Sequence, residues 1–121
     1  MTKKILVVEG RPDALNLLTQ QLEILGIAVI LATDGREGVK KAIEEKPDLI
    51  LMDIRMPGMD GREATRKIRS NPETKDIPIL ATTVLSREAE LTECIEAGCN
   101  DYIVKPFTPK QLVSRIEKLL V

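Results

Sequence analysis

The sequence contains no histidine. That excludes histidine-dependent triads, imidazole zinc sites and a histidine phosphotransfer donor. Only Tyr102 and Phe107 are aromatic, which leaves no set of stacking residues for single-stranded nucleic acid. No sign of charge predominates: 18 basic residues face 19 acidic ones, net −1, so a large nucleic-acid footprint is not expected. The two cysteines, Cys94 and Cys99, lack CxxC spacing and read as buried structural thiols. Long hydrophobic runs are missing too. The start, MTKKILVVE, has four apolar residues in a row, too few for a secretory core or a membrane span, and cytoplasmic location is the resulting default. Any chemistry must therefore run on carboxylates, hydroxyls, lysine and backbone.

The 121 residues suffice for one domain that buries roughly two thirds of its unfolded surface, without help from a disulfide or metal. Five short apolar runs, at 5–8, 29–32, 49–52, 79–81 and 102–104, are rich in β-branched residues and leucine and do not alternate with polar ones. Such runs are expected of parallel strands buried on both faces. Helical patterns lie between them. Residues 12–25 place Leu15, Leu18, Leu22 and Leu25 on one face, with Pro12 in the first turn and Gly26 as the stop. A second helix over 36–45 opens at Thr33 and Asp34. A third covers 61–70, with Glu63 four residues before Lys67. A fourth covers 86–97, with Ser86 as N-cap and Gly98 as stop. In the fifth, Thr108, Pro109 and Gln111 form a capping box, and Leu112, Ile116 and Leu119 follow at helical spacing.

The order is βα five times over, which right-handed crossovers turn into a doubly wound α/β sandwich. Five strands favour the order 2-1-3-4-5, with two helices on one face and three on the other. The switch point then falls between strands one and three, and ligands sit outside the carboxyl ends of the strands there. Glu9 and Asp53 reach that crevice, flanked by Thr83 and Lys105. Topology alone gathers two carboxylates, a hydroxyl and an ammonium.

The segments ILVVEGRPD, PDLILMDIRMPGMDG, DIPILATT and DYIVKPFTP resemble, at corresponding spacings, the receiver domain of bacterial two-component response regulators. The resemblance covers essentially the whole chain, residues 1–121, and implies a single receiver domain with a flavodoxin-like (βα)5 fold. It implies that Asp53 accepts a phosphoryl group from a sensor histidine kinase or histidine phosphotransfer protein, giving a 4-aspartylphosphate. Lys105 matches the lysine that pairs with the aspartate and then with a phosphoryl oxygen, its peptide bond to Pro106 being cis. Thr83 matches the switch threonine; Thr82 beside it competes for that role, and counting five residues from Pro78 selects Thr83. Tyr102 matches the aromatic switch. Magnesium would be held by Glu9, Asp53 and the backbone carbonyl of Arg55. The output would be a changed surface over residues 88–111, from Glu88 to Gln111, offered to a downstream protein. No effector domain is expected to follow, and neither nucleic acid, membrane nor enzymatic turnover is expected.

These residue types suit the chemistry. An acyl phosphate carries about −2 charge, which a metal and a lysine must neutralise as it builds. Two departures from the family pattern stand out. Gly10 occupies the place of a second acidic residue after strand one and removes a metal-binding carboxylate, so magnesium is expected to bind weakly; nearby Asp13 is not expected to substitute. Val84 follows the threonine where Ala or Gly is favoured. Both changes raise a second reading, a pseudo-receiver that binds partners with little or no phosphorylation. An aspartate-nucleophile phosphatase would want an acid at position 55, where Arg55 stands, and no hydroxyl- and glycine-rich loop follows strand one for a flavin phosphate.

Overall fold

Alternating strands and helices follow one another in the computed structural model, which describes residues 3–56, 58–84 and 87–120. The strands are β1 (Lys4–Val8), β2 (Ala28–Ala32), β3 (Leu49–Asp53), β4 (Ile79–Thr83) and β5 (Asp101–Val104). The helices are α1 (Pro12–Ile24), α2 (Gly35–Glu45), α3 (Gly61–Ser70), α4 (Glu88–Ala97) and α5 (Pro109–Leu119). All pairings are parallel, in the order β2-β1-β3-β4-β5. This is the doubly wound (βα)5 sandwich the apolar runs predict.

One face of the sheet packs Leu15, Leu18 and Leu22 of α1 and Leu112 and Ile116 of α5 against Ile5, Val7, Leu51 and Leu80. The other packs Ala42 of α2, Ala64 and Ile68 of α3 and Cys94 of α4 against Leu6, Val8, Ile50 and Met52. Two helices cover one face and three the other, as expected. Full burial of a leucine or isoleucine contributes about 1.5–3 kcal/mol, and a dozen large side chains are under 2% exposed. Both cysteines are free and buried, with burial pushing their thiols up, that of Cys99 to about 11. Among the described residues, no helix is long and apolar enough to cross a membrane.

Several local expectations change. Only β3 and β4 are buried throughout; β2 and β5, at the sheet edges, are largely half-buried. Edge position follows from strand order and not from the composition of the run. On the open edge of β2, the Lys41 ammonium of α2 donates to the Leu31 carbonyl. Leu25 is the C-cap of α1 and 49% exposed, so the apolar stripe ends at Leu22. Helix α2 begins one residue early, at Gly35, and Asp34 caps it by accepting from the Glu37 N–H. Helix α4 begins at Glu88 with Arg87 as N-cap; the predicted cap, Ser86, lies outside the described residues. Among the described residues, no ion pair joins Glu63 to Lys67. Instead Arg62 pairs with Asp60 and with Glu93 of α4. The capping box of α5 is formed as predicted.

A cluster invisible in the sequence pattern closes the far end of the sheet. Arg69 of α3 donates from Nε to the Gly98 carbonyl (2.9 Å) and from Nη1 to the carbonyls of Lys75 (3.0 Å) and Ile77 (2.7 Å). Its Nη2 reaches Asn100 Oδ1 (2.7 Å), which also accepts from the Ile79 N–H at 2.8 Å. One side chain thus ties the end of α3 to the starts of β4 and β5.

Candidate functional site

Glu9 follows β1 and Asp53 ends β3. The register pairs Val8 with Met52, so the next residues on the two strands, Glu9 and Asp53, emerge side by side at the switch point. Both are buried, at 1% and 5% exposure. The sequence arranges this closeness at Gly61. Its N–H donates to the Ile54 carbonyl at 2.9 Å, and a Cβ there would stand 2.3 Å from the Asp53 carbonyl oxygen. Glycine alone lets α3 start against the end of β3. Asp60 then caps that helix by accepting from the N–H groups of Arg62 and Glu63.

Lys105 enters from β5. Its backbone N–H donates to the Thr83 carbonyl at 2.7 Å, and its bond to Pro106 is cis, as expected. The ammonium donates to Glu9 Oε2 at 3.1 Å and lies 3.4 Å from Asp53 Oδ1. The other Glu9 oxygen, Oε1, accepts the Arg11 N–H at 3.1 Å. Two buried carboxylates therefore share one ammonium, a local charge near −1. The electrostatics follow: burial pushes the Asp53 carboxyl up from 3.8 to about 6, against the pull of Lys105 and with the push of Glu9.

Thr82 and Thr83 are both buried. Thr82 lies opposite Asp53 in the register, whereas Thr83 follows Ala81 by two and pairs with Val104. Ala81 pairs with Tyr102, which places Thr83 and Tyr102 on the same face of the sheet. Tyr102 is half-buried and borders two grooves, one toward Leu91 and Ile95 of α4 and one toward Gln111 and Arg115 of α5. Arg55 and Gly10 are exposed beside the crevice, and Val84 is 57% exposed.

Two hard carboxylates with surplus negative charge suit a divalent cation, and magnesium completes a site of one or two carboxylates with carbonyl and water oxygens. The set is small: among the described residues no group of three or more His, Cys, Asp or Glu side chains is gathered around a metal position. Sequence reasoning names the carboxylates and the lysine but misses the Arg11 N–H that fixes Glu9. It also misses a shallow pocket beside Lys105 walled by Ala14, Leu17, Gln21 and Phe107. The one cue was Leu17, which is off the Leu15–Leu18–Leu22 stripe and 56% exposed.

Residues 5–117 match the response regulator receiver domain family. Among curated relatives, the transcriptional regulatory protein ResD of Bacillus subtilis is 44% identical over 117 residues, covering 97% of this chain and 48% of that protein. The chain thus spans about half the length of the first curated relatives it matches. The protein PilH of Pseudomonas aeruginosa is 38% identical over 117 residues, 97% of each chain. The solved receiver domain of a Pseudomonas aeruginosa sensor histidine kinase, described with magnesium coordinated in its active-site cleft, superposes with a TM-score of 0.92 at 35% identity, covering 99% of this chain and 98% of that one. Receiver domains are signalling modules that bind magnesium in the active site and interact with histidine kinases and downstream effectors. A match over nearly the whole length, on a sheet that carries an acid pocket at its switch point, shows that this chain belongs to the response regulator receiver domain family.

Proposed function

We propose that the domain, residues 1–121, accepts a phosphoryl group on Asp53 from a sensor histidine kinase or histidine phosphotransfer protein and signals through its surface over residues 88–111. The observation that carries this reading is the Lys105 ammonium standing between Glu9 and Asp53 at the switch point. An Asp53 oxygen attacks phosphorus, the donor's P–N bond breaks, and the departing imidazole keeps the electron pair. Lys105 then turns its N–H groups to a phosphoryl oxygen and Thr83 turns its hydroxyl to another. Hydrogen bonds to a charged group contribute about 1.5–3 kcal/mol each, so two approach the ~5.5 kcal/mol that inverts a 1:99 population. The shared face of Thr83 and Tyr102 supports a coupled movement: as the hydroxyl is drawn to the site, Tyr102 shifts between the grooves it borders, and the α4–β5–α5 surface changes.

Glu9, Asp53 and the Arg55 carbonyl would hold the magnesium ion, which when bound neutralises the charge on the transferring group. Gly10 favours a second reading, in which the cation is held too poorly for phosphorylation and the fold serves as an interaction module. Incubation with acetyl phosphate and magnesium, then borohydride trapping and peptide mapping, should label Asp53; label on Asp48, Asp60 or Asp101 in preference refutes the assignment, and no label at all favours the second reading. In calorimetric titration, Gly10→Asp should tighten magnesium roughly tenfold or more, and Gly10→Ala should not.

A further inference from the structure

We propose that Thr82 is a positioning residue of the acid pocket: once Asp53 carries a phosphoryl group, the Thr82 hydroxyl accepts an N–H of the Lys105 ammonium and holds that ammonium on the phosphoryl oxygen. The inference rests on the reading that Asp53 is the phosphoryl acceptor. Successive side chains of a strand point to opposite faces of the sheet. Leu51, Leu80 and Ile103 pack on the face covered by α1 and α5. Two residues further along, Asp53, Thr82 and Lys105 continue that face, whereas Thr83 follows Ala81 on the other. Thr82 is 2% exposed and stands between Asp53 of β3 and Ile103 of β5 in the register.

The reach of Lys105 brings it to this hydroxyl. Strand β4 separates β5 from β3, so at about 4.7–4.9 Å per strand the Lys105 backbone lies roughly 9.5 Å from that of Asp53. The ammonium is nevertheless 3.4 Å from Asp53 Oδ1 and 3.1 Å from Glu9 Oε2, which lies one strand further on. The lysine stem must therefore cross β4, and the β4 residue at this level of that face is Thr82. Its other neighbours there, Leu80 and Ile103, are apolar, so the adjoining strands bring it two polar side chains, Asp53 and Lys105. Valine would fit this row as well as threonine; the hydroxyl is the feature that packing does not require. At rest the ammonium is engaged by two carboxylates. Turning it to a phosphoryl oxygen leaves an N–H without a carboxylate, on a side chain only 23% exposed. A buried donor left without a partner is costly, and the Thr82 oxygen under the stem supplies one. Because this bond forms as the phosphoryl group arrives, it favours the phosphorylated pocket over the resting one.

The rate at which acetyl phosphate and magnesium label Asp53 of the full chain, read by borohydride trapping, tests this. Thr82→Val keeps the branched shape without the oxygen and should slow labelling about tenfold or more. Thr82→Ser keeps the oxygen and should stay within about threefold of the parent. In a Lys105→Met background, where no ammonium is left to hold, Thr82→Val should make no further difference. If Thr82→Val labels as fast as the parent, the role of Thr82 is refuted while Asp53 stands as the acceptor. If Thr82→Ser is as slow as Thr82→Val, the shape of the row matters and not its hydroxyl, which also refutes the role. Equal slowing by Thr82→Val with and without Lys105 shows that the hydroxyl acts apart from the lysine and overturns the positioning. If Lys105→Met takes no label at all, the two substitutions in the parent background decide alone. A parent that takes no label refutes both the inference and the phosphoryl-acceptor reading.

Discussion

Replacing Asp53 by asparagine should stabilise the resting protein, by an amount that depends on pH. In the folded chain the Asp53 carboxyl is raised from 3.8 to about 6, chiefly by burial, with Glu9 adding to the push and Lys105 opposing it. Between those two values the folded state holds a proton that the unfolded state has released, so stability falls as pH rises through this window. Below pH 4 both states are protonated and nothing is lost. Above pH 6 the loss is complete, and the interval from 3.8 to about 6 corresponds to on the order of 3 kcal/mol. Asparagine keeps the shape without the charge and leaves Lys105 paired with Glu9 alone, but its amide is still buried. We therefore expect a gain of about 2 kcal/mol at pH 7, shrinking towards zero below pH 4. Urea unfolding followed by far-ultraviolet circular dichroism would read this as a midpoint shift of about 1 M, for a typical slope near 2 kcal/mol/M. A variant less stable than its parent at pH 7, or a difference constant between pH 4 and 7, would refute the reasoning.

The Arg69 cluster predicts a stability effect remote from the site. Arg69→Ala strips hydrogen bonds from three carbonyls and Asn100, and should cost about 2–4 kcal/mol in urea unfolding while leaving the site of borohydride label unchanged. Gly61→Ala should act on both counts. A Cβ 2.3 Å from the Asp53 carbonyl and 2.8 Å from Ile54 Cα forces α3 off the strand end, so we expect a loss of about 2 kcal/mol or more together with slower labelling of Asp53 by acetyl phosphate. Normal labelling at parental stability would show that the strand end and helix can part freely.

The sheet was legible in the sequence because burial on both faces demands uninterrupted apolar runs, and the strand order then brought Glu9, Asp53 and Lys105 together, whereas the choice of Thr83 over Thr82 needed the family pattern. What stayed hidden depends on distances between elements. Nothing in the run of residues shows that Glu9 gives one oxygen to Arg11 and the other to Lys105, because that pairing joins positions 9 and 105 through the twist of the sheet. Arg69 reads as one more basic residue on a solvated helix. Its inward role appears only when Gly98 and Asn100 arrive beneath it, and Gly98 is itself constrained, a Cβ there lying 2.6 Å from Arg69 Cγ. The strength of the helix caps also divided along physical lines. Asp34, Asp60 and Thr108 have short side chains that reach the first-turn N–H groups, whereas α1 and α4 begin at Arg11 and Arg87 without a side-chain cap.

Strand β2 carries no charge and lies at the open edge of the sheet, where backbone groups face outward with no neighbouring strand. The bonds from the Glu9 N–H to the Ala32 carbonyl and from the Ala28 N–H to the Lys3 carbonyl turn the even-numbered residues inward, so the Leu31 carbonyl points away from β1. An edge of that kind invites another chain to add a strand. Lys41 covers the carbonyl with its ammonium, 3.7 Å from Glu37 one helical turn away, and so sets a strongly hydrated charge where an incoming strand would have to pair. A side chain outside the acid pocket thus guards the strand edge. Neutralising Lys41, by acetylation or by substitution with methionine, would leave the acid pocket untouched and make the protein prone to edge-to-edge aggregation.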